Sequence, residues 1–166
     1  MTDRPIIRPT ARVVVLDPDG RVLLLGARLT DPAVPPGDVL FWYTPGGGVE
    51  AGESLRAAAV RELAEEIGLV VDPEDLEGPV WLRRHVGAFA GQDFDSRETF
   101  FLLRDVVHEV DPGGRTELEL LGEEPHRWWS SAEVAASAET FAPGDLAARL
   151  PELLAGPWSG PPRVVS

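Results

Sequence analysis

The order of apolar and polar positions cuts the chain into short blocks. ARVVVL (11–16) and RVLLLG (21–26) are nearly continuous in Val and Leu rather than alternating, the pattern of strands covered on both faces. Between them stand Asp17, Pro18, Asp19 and Gly20. Pro at the second turn position and Gly at the fourth predict a hairpin there. Upstream, residues 1–10 carry Pro5 and Pro9 and read as an extended arm. A Pro-rich loop over 30–40 leads to Phe41-Trp42-Tyr43-Thr44, a predicted short strand. Further on, VWLRRHVGAF (80–89) and ETFFLLRDVV (98–107) predict two strands, with AGQDFDSR (90–97) as the turn between them and a helical turn within the polar connection 71–79.

Past a turn at Asp111-Pro112-Gly113-Gly114, HRWW (126–129) reads as a short strand. Ser130 and Glu133 have the spacing of a capping box for a helix beginning near Ser131. A last helix is predicted from about Asp145 towards Leu154, limited or kinked by Pro151. The tail, about 156–166, reads as extended and superficial. Strands on both sides of a central helix, with another helix at the end, predict a mixed β-sheet between helical layers in a single domain over 1–166.

The central helix lies in GGVEAGESLRAAAVRELAEEIGL (47–69). At ~100° per residue, with Glu62 at zero, Glu65 falls near −60° and Glu66 near +40°. Leu63, Ile67, Val60, Ala64 and Ala57 fall on the opposite side. One face therefore packs on a core while the other gathers three carboxylates. Like charges at these spacings repel in a bare helix; a hard divalent cation between them reverses the sign. Ahead of the helix, Pro45, Gly46, Gly47 and Gly48 form a loop where backbone can approach a ligand. Gly68 stands where a helix ends in the left-handed conformation.

Composition narrows the picture. Of 166 residues, 43% are hydrophobic and 26% charged, as in ordinary globular proteins. The first ten residues have no apolar core of a secretory leader, no run is long enough for a membrane span, and there is no cysteine, all of which fit a cytoplasmic enzyme. The net charge of −13 opposes binding to nucleic-acid polymers and anionic lipid. His85, His108 and His126 have no ligand spacing, so a His-based metal site is not expected. Trp42, Trp81, Trp128 and Trp129 fall in predicted strands and read as core or sheet-face residues, although Trp42 or Tyr43 is placed to stack on a base.

The stretch matches G-x5-E-x7-R-E-U-x-E-E-x-G-U, U being a bulky aliphatic, at Gly47, Glu53, Arg61, Glu62, Leu63, Glu65, Glu66, Gly68 and Leu69. It resembles the Nudix box, with no departure at any specified position. The resemblance implies an α/β/α sandwich and a divalent-metal-dependent pyrophosphohydrolase that cleaves the diphosphate of a nucleoside diphosphate linked to another moiety. It further implies that Glu62, Glu66 and Glu65 bind Mg2+ (or Mn2+), with the Gly47 carbonyl as an added ligand. Arg61 would then orient the glutamates and Glu53 support them. In several family members a general base comes from a loop outside the box; Glu123 or Glu124, ahead of HRWW, stands at such a place. Arg83, Arg84 and Arg97 are candidate phosphate clamps.

The family's diadenosine polyphosphate hydrolases carry a tyrosine downstream of the box, whereas the only tyrosine here, Tyr43, is upstream. The remaining substrates are ADP-ribose, sugar nucleotides and noncanonical nucleoside triphosphates. The expected partner is thus a small nucleotide-type substrate, with no nucleic-acid polymer and no membrane; a homodimer is left open. A Nudix-fold sensor that binds nucleotide without turnover is the alternative, and a degraded box would favour it.

Overall fold

The structure is a computed structural model that describes residues 4–28, 39–89, 91–110 and 125–166. The predicted turn at 111–114, most of the Pro-rich loop, and both Glu123 and Glu124 lie outside the described residues.

Among the described residues nine strands form two mixed sheets. The first has the order β4 (Gly46–Gly48), β1 (Ile6–Val15), β6 (Gln92–Leu103), β5 (Glu77–Phe89), β9 (Arg163–Val164). The second has the order β7 (His126–Trp129), β2 (Val22–Ala27), β3 (Phe41–Tyr43), β8 (Phe141–Ala142). Three helices accompany them: α1 (Leu55–Ile67), α2 (Ser131–Ala136) and α3 (Leu146–Leu154). A short 3-10 turn, Pro73–Asp75, supplies the helical turn predicted between α1 and β5.

The apolar blocks are buried on both faces, and their alternation shows how. Val13 and Val15 of β1, Leu23 and Leu25 of β2, and Phe101 and Leu103 of β6 pack with Leu63 and Ile67 of α1. Their neighbours Val14, Val22, Leu24, Phe100 and Leu102 face the other way, into a core closed by α2 and α3. A strand with helices on each side has no polar face to offer, which is why its sequence does not alternate. Trp42, Trp81 and Trp129 are buried in this second core, and Trp42 meets Trp129 edge-on at 5.3 Å between centroids.

The fold corrects three expectations and refines a fourth. The Asp17–Gly20 turn forms, with Gly20 N–H donating to the Asp17 carbonyl at 3.0 Å, but the strands beside it share only the Leu16–Val22 bridge and then enter different sheets. A strand needed by two cores pairs where the cores require, and a local turn does not override that. The N-terminal arm is a strand from Ile6, parallel to β6 from Ile6↔Phe94 onward. Pro9 is tolerated because its carbonyl, and hence its missing N–H, faces the side where β4 ends; that carbonyl accepts from Val49 N at 3.0 Å. The loop predicted over 90–97 is mostly strand, since β6 begins at Gln92. The tail lies largely on the surface, as expected, but it is anchored there: β9 pairs with β5, and Val165 is buried in the second core.

Candidate active site

α1 is delimited as its sequence predicts. Ser54 caps it by accepting from Ala57 N–H at 3.1 Å, and Gly68 ends it at φ 69°. Leu63 and Ile67 are fully buried as expected, but so are Ala58 and Ala59, whereas Ala57, Val60 and Ala64 are only half-buried. The helix is packed more widely than a single stripe, with Ala58 and Ala59 in the same core cluster as Ala11 and Val13 of β1.

The acidic face is organised by one guanidinium. Arg61 donates to Glu53 at 2.9 and 3.0 Å, to Glu62 at 3.0 Å, to Glu65 at 3.3 Å and to the Gly48 carbonyl at 2.9 Å. The hydrogen bonds with Glu53 lead the causes that raise the arginine above its ordinary range, and the same bonds hold the Glu53 carboxyl below its own. Glu62 behaves differently: burial pushes its carboxyl up, against the opposing pull of Arg61. Its side chain is 13% exposed, that of Glu65 52%.

The glycine loop meets these glutamates directly. A Cβ at Gly47 would land on the Glu62 carboxylate. Gly46, at φ 147°, lies so close to the Ala11 carbonyl that no side chain fits, and its N–H donates to Glu66 Oε2 at 3.2 Å. The box therefore brings Glu53, Arg61, Glu62, Glu65, Glu66 and Gly47 into one site.

Among the described residues no three acidic or histidine side chains converge as a metal-binding set; Glu62 and Glu65 both accept from Arg61 NH1. The donors nevertheless fit a hard divalent ion in kind. They are carboxylate oxygens, one of them disfavoured as a bare anion by burial, beside a backbone stripped of side chain.

A cavity of about 610 Å³ opens next to Glu66 and Gly46. Phe41, Tyr43 and Phe141 contribute to one wall; Arg12, Arg83 and Glu98 contribute from the first sheet. Of the candidate phosphate clamps only Arg83 reaches it. Arg84 and Arg97 instead hold Asp95, at 2.9 and 3.3 Å, since alternation along β5 and β6 puts them on the opposite sheet face from Arg83 and Glu98. Arg12 and Glu98 carry no motif and are missed by sequence reasoning. The one available signal is a charge opening an otherwise apolar strand in ARVVVL and ETFFLL.

The NUDIX domain family model matches residues 6–150. The chain belongs to the NUDIX domain family. It is a Nudix-family hydrolase, and the family generally uses divalent metals. An RNA pyrophosphohydrolase from Novosphingobium aromaticivorans is 32% identical over 114 residues, 54% of this chain and 67% of the relative. One from Cereibacter sphaeroides strain KD131 is 29% identical over 150 residues, covering 81% and 82%. The MutT protein from Methanosarcina mazei Go1 superposes with a TM-score of 0.62 at 18% identity, over 93% of this chain and 100% of that one. That last likeness establishes the Nudix fold here. Among the described residues no helix is long and apolar enough to cross a membrane.

Proposed function

We propose that this Nudix hydrolase is a pyrophosphohydrolase, dependent on Mg2+ or Mn2+, that cleaves within the diphosphate of a small nucleotide-type substrate such as ADP-ribose, a sugar nucleotide or a noncanonical nucleoside triphosphate. The observation that carries the reading is the set of bonds from Arg61 to Glu53, Glu62, Glu65 and the Gly48 carbonyl, with Glu62 seated against Gly47. Glu62, Glu66 and Glu65, with the Gly47 carbonyl, would hold the ion. When bound, it supplies charge neutralisation on phosphoryl oxygens and a more acidic coordinated water.

The chain's own residues supply the rest. Arg61 bridges the Glu53, Glu62 and Glu65 carboxylates, and Glu53 keeps Arg61 in place. Gly46 N–H orients Glu66. Phe41, Tyr43 and Phe141 offer flat apolar surface for a base in a cavity of about 610 Å³, stacking that is worth ~1–3 kcal/mol per base. Glu123 is proposed as the general base, and the cytoplasm as the compartment.

An RNA 5′ end is the second reading, favoured by the name of the curated relatives. Against it stand the net charge of −13 and the dependence of polymer binding on neutralised phosphates. The deciding experiment is a panel of ADP-ribose, sugar nucleotides, nucleoside triphosphates and a 5′-triphosphate oligoribonucleotide with Mg2+ or Mn2+, read by product mass spectrometry. Turnover of the small compounds is expected. Activity on the oligonucleotide alone would overturn the substrate assignment and keep the hydrolase. Tight nucleotide binding with no turnover of any compound would favour the sensor.

A further inference from the structure

Glu98 lies outside the box, yet it reaches the box through the glycine loop. The register of β1, β6 and β5 puts Thr10, Glu98 and Arg83 side by side, with Arg12 one step along beside Phe100. The Glu98 side chain is 7% exposed and accepts from two guanidiniums: Arg12 Nε at 3.0 Å and Arg83 NH1 at 2.9 Å. Arg12 then donates through NH1 to the Thr44 and Gly46 carbonyls, each at 3.2 Å. Those carbonyls belong to the turn from β3 into β4. Its Gly46 N–H orients Glu66, and its Gly47 abuts Glu62.

The sheet face changes character at this point. Phe100 and Trp81 continue the apolar core, and the next positions outward are Glu98 and Arg83, at the cavity. A buried ion cluster adds little stability compared with apolar residues of the same volume, so sheet packing alone does not account for charge here. Holding two backbone carbonyls of a ligand loop does account for it, because only a donor fork such as arginine reaches both, and an arginine drawn largely out of water, as Arg12 is, needs an anion behind it.

We propose that Glu98 is a positioning residue for the diphosphate chemistry of the box. It fixes Arg12, Arg12 fixes the Thr44–Gly46 turn, and the turn fixes Glu66 and Glu62. Through Arg83 it ties the same turn to the cavity wall. This inference rests on the pyrophosphohydrolase reading above.

Glu98→Gln keeps the shape and removes the anion. The variant is expected to lose ~10–100-fold in kcat, the usual effect of losing an outer-shell partner of a metal ligand, with KM changed far less. Half-saturating Mn2+, read without substrate from the electron paramagnetic resonance of the free ion, should rise about tenfold. In the metal-free protein the Gly46 amide should exchange with deuterium faster than in the wild type. Arg12→Lys keeps the charge but has no fork to span Glu98 and two carbonyls; it should reproduce all three changes and serves if Glu98→Gln does not fold. Wild-type kcat, Mn2+ binding and Gly46 exchange in both variants, with loss confined to Tm, would overturn the positioning role and leave the hydrolase standing. A wild type that neither binds Mn2+ nor turns over any phosphoanhydride would overturn both.

Discussion

At the scale of single residues, Glu62 carries the conflict on which the site is built. It is an anion that burial disfavours, kept folded by a hydrogen bond from Arg61. Glutamine in its place keeps an acceptor for Arg61 and loses the charge. Glu62→Gln should lower kcat by at least ~10²-fold, more than the loss of an outer partner costs. In EDTA its melting temperature should equal or exceed that of the wild type, because the folded state no longer holds a disfavoured carboxylate. Turnover assays beside thermal melts check both halves. Wild-type turnover would remove Glu62 from the site, and a large fall in Tm would show its charge to be structural.

Among the elements, α1 decides whether the site exists, and its attachment runs through Arg56 as much as through its apolar stripe. Arg56 donates to the carbonyls of Pro73, Leu76 and Gly78, and its guanidinium lies 4.9 Å from the centroid of the Phe101 ring. The helix is thereby stapled to the chain that leads into β5. Arg56→Ala leaves those carbonyls without their cationic donor, so it should cost about 1.5–3 kcal/mol, the range for hydrogen bonds to a charged group. Urea unfolding at 25 °C reads this directly. A loss below ~0.5 kcal/mol, the scale of an ordinary surface substitution, would show that the apolar contacts of Leu63 and Ile67 suffice.

For the whole molecule, excess negative charge coexists with carboxyls that the fold keeps ionised. Hydrogen bonds from Arg84 and then Arg97 hold Asp95 below its ordinary range, and the Ser130 cap does the same for Glu133. At Asp145 burial pulls upward but is outweighed by Arg149 and Ser166, so this carboxyl is also lowered. A carboxyl depressed on folding adds stability that is complete above its unfolded value, ~4, and is lost as pH falls through the folded one. Asp95→Asn should therefore melt below the wild type at neutral pH, with the gap closing as pH drops under ~4. Melting curves from neutral pH downward test it; a gap constant across that range would assign the effect to packing.

The sequence by itself determined the box, because every relation in it is local. Glu62, Glu65 and Glu66 share a face by helical spacing, Ser54 and Gly68 bound the helix, and the glycines ahead of it leave room that a Cβ would fill. The same holds for the doubly buried strands, whose Val and Leu runs already exclude a wet face. Only the tertiary structure decided what lies across long separations. Arg12 and Glu98 are 86 residues apart, and no periodicity within either strand names the other. β1 and β2 leave a well-formed turn for different sheets, and Val165 returns from the tail to close a core. Arg83 reaches the cavity while Arg84 does not, a choice set by the register of β5 against β6. Turns and helix faces are encoded over a few residues, whereas strand partners are chosen by whichever pairing buries both faces at once.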